Sequence, residues 1–250
     1  MLTAKGVSVT LNNKKILDNI SFSVKAGEWL MLIGPNGAGK STLLGTISQG
    51  LAYSGRIDFQ GQDIRRMKPK QRAQNFALLS QSHSVGYAFT AREVIRLGRY
   101  SSTGFLKSTT TDDEHFILEA IEITGIGDIL GQNVLTLSGG ELQRVFLAQI
   151  FAQNPRMLLL DEPANHLDLK YQEQIFELIN RWVKEPGRAV ISVVHDLSLA
   201  RRYGKTALLL NHGHLVTTGT ISIALSPEHL QEVYGMDVYA WMRRLLEVWT

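Results

Sequence analysis

The sequence predicts an α/β fold: a core of alternating strands and helices, interrupted by a helical insertion and overlaid by an N-terminal antiparallel β layer. Three observations predict it. Val7 and Val9, then Ile20, Phe22 and Val24, alternate with polar neighbours, the period-two pattern of half-buried antiparallel strands. The apolar run Trp29 to Ile33 leads straight into Gly34-Pro35-Asn36-Gly37-Ala38-Gly39-Lys40-Ser41, which fits the GxxxxGKS phosphate-loop pattern in its strand–loop–helix context. After Pro155, strand-like runs at 157–160, 189–194 and 206–210 alternate with helical ones at 171–183 and 197–203, the order of a parallel α/β core.

The remaining elements follow in order. Residues 40–48 carry Leu43, Leu44 and Ile47 on one side of a helix, and 56–59 and 76–79 read as short strands. From Ser82 to about Pro155 the pattern turns helical, over 93–97, 112–124 and 141–153. Thr109-Thr110-Thr111 offers an N-cap to the middle helix, with Asp112, Asp113 and Glu114 in its first turn. The whole chain is therefore expected to be one domain, with residues 1–81 and 156–250 as core and 82–155 as a helical subdomain. The tail from Tyr239 to Thr250, with Trp241, Leu245, Leu246, Val248 and Trp249, reads as a packed helix or a partner surface.

Composition narrows the function classes. At 250 residues, 44% hydrophobic and 20% charged, the chain can bury a sizeable core. A net charge of +3 without a lysine or arginine block gives no footing for nucleic acid. The absence of cysteine excludes disulfides and thiolate metal sites and fits a reducing compartment. The first residues lack a signal-like apolar stretch, and no run reaches the roughly 18–20 apolar residues of a membrane helix. Work at a membrane is expected to go through partners.

Five groups of residues carry chemistry. Gly34, Gly37 and Gly39 permit backbone angles that let successive N–H groups turn inward around phosphate oxygens, at the start of a helix whose dipole favours anions. In that setting Lys40 is expected to reach the β- and γ-phosphates and Ser41 to hold Mg²⁺. Asp161 and Glu162 end an apolar strand, where alternation sends neighbouring side chains to opposite sides; Asp161 is assigned to magnesium and Glu162 to activating water. His195, one strand later, is the candidate γ-phosphate contact. Gln81, where core passes into insertion, can touch Mg²⁺ or the attacking water. Ser138 reads as the N-cap of the helix after Gly139 and Gly140, with Glu141 at the capping-box position; an exposed helix N-terminus behind two glycines is also an anion site. Adjacent acids, a histidine after a strand and a surface glutamine all have plainer structural readings. The constellation is what selects the chemistry.

Gly34–Ser41, Gln81, Leu137-Ser138-Gly139-Gly140-Glu141, Leu158–Glu162, Asn165-His166-Leu167-Asp168 and His195 together resemble the Walker A, Q-loop, signature, Walker B, D-loop and H-loop motifs of the ABC (ATP-binding cassette) ATPases, in that family's order. The resemblance implies the ABC ATPase fold on a P-loop NTPase core, ATP and Mg²⁺ as cofactors, and Thr42 among the nucleotide contacts. It also implies an ATP-dependent head-to-tail homodimer in which Ser138, Gly139 and Gly140 act in trans and Asp168 links the two sites. Residues 89–100 (Phe89 to Tyr100) and 226–238 (Ser226 to Val238) resemble importers of iron-siderophores, haem and cobalamin, although zinc and manganese importers share a similar first stretch. That implies transmembrane permease subunits as partners, a substrate-binding protein indirectly, and a peripheral place on the cytoplasmic face of the membrane. A soluble ABC ATPase acting in assembly or regulation, without a permease, would share every catalytic motif. The family usually stacks an aromatic residue on adenine near the position of Leu11; leucine there implies a weaker or less base-selective site unless Tyr53 or another ring substitutes.

Overall fold

The computed structural model describes every residue except 49, 81–85, 87, 101–110, 166 and 250. Its strands in chain order are β1 (Leu2–Leu11), β2 (Lys14–Val24), β3 (Trp29–Ile33), β4 (Ser54–Phe59), β5 (Gln62–Asp63), β6 (Phe76–Leu79), β7 (Met157–Asp161), β8 (Ala189–Val193), β9 (Thr206–Asn211) and β10 (His214–Thr220). The helices are α1 (Lys40–Ile47), α2 (Pro69–Asn75), α3 (Ala91–Leu97), α4 (Thr111–Thr124), α5 (Gly139–Ala152), α6 (Leu169–Val183), α7 (Leu197–Tyr203), α8 (Ile221–Ala224), α9 (Pro227–Tyr234) and α10 (Val238–Glu247).

Two sheets answer the two hydrophobic patterns. The alternating segments form an antiparallel sheet ordered β2-β1-β4-β5, and the continuous apolar runs form a six-stranded sheet ordered β10-β9-β3-β8-β7-β6. In the second sheet β9, β3, β8, β7 and β6 are mutually parallel and β10 closes one edge antiparallel to β9. The runs are continuous because the parallel sheet is covered on both faces. Leu30, Leu32, Leu159, Ile191, Leu208 and Leu210 point into a core shared with the antiparallel sheet and α1. Their neighbours Trp29, Met31, Leu158, Leu160, Val190 and Leu209 point into a second core against α5 and α6. Both cores bury large side chains, each worth roughly 1.5–3 kcal/mol relative to exposure. The polar atoms taken inside find partners: the Trp29 indole donates to the Ser192 hydroxyl at 2.7 Å.

The segment from Ala91 to Ala152 contributes no strand to either sheet among its described residues, and α5 packs on both α3 and α4. A buried ion pair pins this group. Arg99 Nε donates to Asp113 at 2.8 Å, and Nη1 donates to the Ala152 carbonyl at the end of α5 at 2.8 Å. The first of these helices starts at Ala91, two residues before the sequence pattern suggests, because Thr90 caps it with Glu93 closing the box. Thr111 opens α4; Thr109 and Thr110 lie outside the described residues. Of the elements the sequence pattern missed, β10 is a half-exposed edge strand with only a weak apolar face. The tail forms α10, with Val238 buried and Tyr239 and Met242 packed on the core, while Trp241, Leu245, Leu246, Val248 and Trp249 remain exposed. Among the described residues no helix is long and apolar enough to cross a membrane.

Candidate active site

The glycine loop runs from the end of β3 to the start of α1, and two of its glycines are required by close contact as well as by backbone angle. Gly34 has φ +147°, and a Cβ there would sit 2.1 Å from the Leu210 carbonyl oxygen on β9; Gly39 has φ +97°, and a Cβ there would sit 2.6 Å from a Leu17 methyl on β2. The loop is thus wedged between the two sheets at Gly34 and Gly39, while Asn36 and Gly37 at its tip are exposed. A cleft of about 760 Å³ opens there, lined by Asn36, Gly37, Gly39, Lys40, Ser41 and Thr42 from the loop and α1. Glu162, Asn165 and His195 face them, and Lys14 and Ile16 of β2 close one side.

Lys40 is only 6% exposed, and its ammonium donates to the carbonyls of Gly34 at 2.8 Å and Pro35 at 2.9 Å. Burial pulls its pKa below the usual lysine value, against the opposing charges of Glu162 and Asp161. Asp161 ends β7 and accepts a hydrogen bond from Ser41; burial nevertheless holds its carboxyl above the ordinary aspartate value, with the Glu162 charge adding to the rise. Its Oδ1 is buried and has no hydrogen-bond partner among the described residues. An orphaned carboxylate oxygen beside a hydroxyl suits Mg²⁺, a hard cation held by one or two protein oxygens plus substrate phosphates. Among the described residues no group of three or more acidic, histidine or cysteine side chains is placed to hold a metal ion by itself.

Glu162 has left strand geometry, with φ +54°, so alternation along β7 governs Asp161 but not its neighbour. The turn aims the Glu162 carboxylate into the cleft, where Oε1 lies 2.7 Å from His195 Nε2 and Oε2 accepts from the Asn165 side-chain amide. His195 follows β8, next to β7 in the sheet, which is how two residues 33 apart meet.

The Leu137–Glu141 run stands apart from this cleft; none of its residues lines it. Ser138 caps α5 in the expected box: its hydroxyl accepts from Glu141 N–H, and Glu141 Oε2 accepts from the Ser138 N–H at 2.9 Å and hydroxyl at 2.6 Å. These bonds hold the Glu141 carboxyl below its ordinary value. Ser138 and Gly139 are exposed, whereas Gly140 is buried against Tyr171, whose ring a Cβ would meet at 2.8 Å. Asp168 caps α6 by accepting from Tyr171 N–H at 3.0 Å. Gln81 and His166 lie outside the described residues.

Leu11 packs partly buried on the core and does not line the cleft; nor does Tyr53, whose ring lies under the Arg65 guanidinium at 5.2 Å. The wall there is Ile16 and Lys14, which sequence reasoning missed. The adjacent apolar pair Ile16-Leu17 was the available signal: in a strand only Leu17 can face the core, so Ile16 must face something else. Asn165 was likewise read as part of a motif and not as a partner of Glu162.

Comparison with known proteins identifies the family. The family described as ABC transporter matches residues 17–165. An uncharacterised ABC transporter ATP-binding protein, YvrA of Bacillus subtilis (strain 168), is 39% identical over 96% of this chain; the chain spans about half of that relative, 54% of its length. The hemin import ATP-binding protein HmuV of Rhodococcus jostii (strain RHA1) is 40% identical over 95% of this chain and 80% of its own length. Among solved structures, the dimeric ATP-binding cassette MJ0796 bound to ADP and phosphate superposes with a TM-score of 0.78 at 25% identity, covering 88% of this chain and 99% of that one. The wedged phosphate loop, the acidic pair at the end of β7, the histidine after β8 and the separately displayed serine–glycine cap are thus found on a chain that belongs to the ABC transporter ATP-binding family.

Proposed function

We propose that this chain is the ATP-hydrolysing subunit of an ABC importer that powers uptake of a metal chelate, namely an iron-siderophore, haem or cobalamin, through a membrane permease. The observation that carries the hydrolytic reading is the convergence of Lys40, Ser41, Glu162 and His195 on one cleft, with Asp161 hydrogen-bonded to Ser41. In this reading Gly34, Pro35, Asn36, Gly37, Ala38, Gly39 and Thr42 cradle the phosphates. Ser41 and Asp161 would hold Mg²⁺, with Gln81 as a further ligand; the ion supplies charge neutralisation on the phosphate oxygens when bound. Lys40 exchanges its two backbone carbonyls for phosphate oxygens. Glu162 orients a water and takes its proton as the water oxygen bonds to the γ-phosphorus. The bond to the β–γ bridging oxygen breaks, leaving ADP and phosphate, and His195 steadies the transferring group.

Ser138 and Gly139 of the cap are exposed and do not line their own chain's cleft, which supports a head-to-tail pair of copies in which each lends this cap to the other's nucleotide. The dimeric form of MJ0796 supports the pairing of copies. Leu78, Phe89, Leu97 and Tyr100 are exposed apolar side chains around the start of the helical segment, a surface suited to a permease's cytoplasmic helix. The likeness to HmuV favours an iron-bearing chelate as the cargo, delivered by a substrate-binding protein to a permease on whose cytoplasmic side this subunit sits.

Glu162→Gln is the decisive variant: ATP still binds, turnover falls by at least about 10²-fold, the scale of lost general-base catalysis, and closed dimers accumulate on size exclusion. Unchanged steady-state hydrolysis would remove Glu162 from its role. Copurification with a multi-span protein from detergent-solubilised membranes tests the transport half; a fully active ATPase that never associates with one belongs to a soluble module instead.

A further inference from the structure

We infer that Asn165 is a positioning residue for Glu162 and the last link of a chain of contacts by which the signature helix α5 controls the carboxylate. The inference rests on the hydrolytic reading of Glu162 given above. Asn165 closes the turn after β7 twice: its N–H donates to the Glu162 carbonyl at 3.2 Å, and its side-chain amide donates to Glu162 Oε2. His195 engages only the other oxygen. Beside the pair lies a cavity of about 140 Å³ bordered by Phe176, Val194 and Leu199, space into which a carboxylate released by Asn165 can rotate.

The same turn is tied to α5. Gln143, one turn beyond the Ser138 cap, donates from its side-chain amide to the Pro163 carbonyl at 2.6 Å, and Gly140 is buried against Tyr171 just past the turn. A displacement of α5 therefore pulls on Pro163, and Asn165 passes that pull to the oxygen that must face water. In a paired assembly, the helix that caps one copy's nucleotide would in this way report its position to the base of its own copy.

A double-mutant cycle tests this. Asn165→Ala should lower kcat about tenfold with KM for ATP and ATP-driven dimerisation unchanged, and in the Glu162→Gln background it should cause no further loss. Asn165→Asp has the same shape, removes the donor and sets a second carboxylate against Glu162; it should lower kcat further while melting like the wild type. Gln143→Glu, which replaces the donor to Pro163 by an acceptor, should reproduce part of the kcat loss and be non-additive with Asn165→Ala. An unchanged kcat for Asn165→Ala, a loss that multiplies with Glu162→Gln, or a KM rising in step overturns the inference. A Glu162→Gln enzyme with wild-type turnover overturns it together with the hydrolytic reading, and that result is distinguishable because it needs no change at Asn165.

Discussion

In the proposed pairing Ser138 has two duties that a single substitution can separate. Within its own chain it caps α5, and Ser138→Ala should cost about 1 kcal/mol of stability, a shift of roughly 2–4 °C in Tm for a chain of this size. Ser138→Asp keeps an oxygen for the Glu141 N–H. The carboxylate gains about 0.3–1 kcal/mol from the helix dipole and loses a similar amount against the Glu141 carboxylate, which now accepts from the serine hydroxyl at 2.6 Å. Its net effect on folding should stay within about 1 kcal/mol. Between paired copies the consequence is far larger. A carboxylate about 4 Å from a partner's γ-phosphate charge, at an effective dielectric constant near 20, is disfavoured by about 4 kcal/mol, close to 10³-fold. Thermal melts of the single chain, ATP-dependent size exclusion and steady-state ATPase assays on the same samples read out both duties. The aspartate variant should melt like the wild type yet neither dimerise nor hydrolyse. Hydrolysis within tenfold of wild type, or activities that merely track the melting temperatures of the two variants, would refute a role in trans.

Three further outcomes follow from the geometry. Arg99 and Asp113 are 9% and 3% exposed and ion-paired, so Arg99→Leu, which takes the guanidinium away from a buried carboxylate, should cost about 3–5 kcal/mol in chemical denaturation. The double replacement with Asp113→Leu should recover part of that loss. Asp161 has its folded pKa raised by burial, so its ionisation costs stability at every pH above the unfolded value of 3.8. Asp161→Asn should therefore raise the nucleotide-free melting temperature at pH 7, by an amount that shrinks as pH falls toward 3.8, while abolishing Mg²⁺-dependent hydrolysis. Ile16→Ala removes apolar surface from the cleft wall and should weaken ATP binding by about 1–2 kcal/mol, seen as a five- to thirtyfold higher Kd by titration calorimetry.

Much of this molecule is written in short-range pattern. The phosphate loop, the period-two strands, the Ser138–Glu141 box and the acids ending β7 each depend on residues within a few positions of one another, and each is legible because backbone geometry and local hydrogen bonding decide it. The helix cap could be read from Ser138 and Glu141 three residues apart. What required the folded chain are contacts made across the sequence. Strand order sets β8 beside β7 and so delivers His195 to Glu162; the packing of β2 on the glycine loop turns Ile16 and Lys14 into cleft wall and leaves Leu11 aside. A left-handed turn at Glu162 overrides the alternation that an ideal strand would impose, and it brings Asn165 onto the carboxylate. Arg99 and Asp113 form a buried pair that no local pattern announces. The physical reason is common to all of these. A side chain's direction within an element is fixed by its own few neighbours, whereas its partner is fixed by which elements the two cores force together.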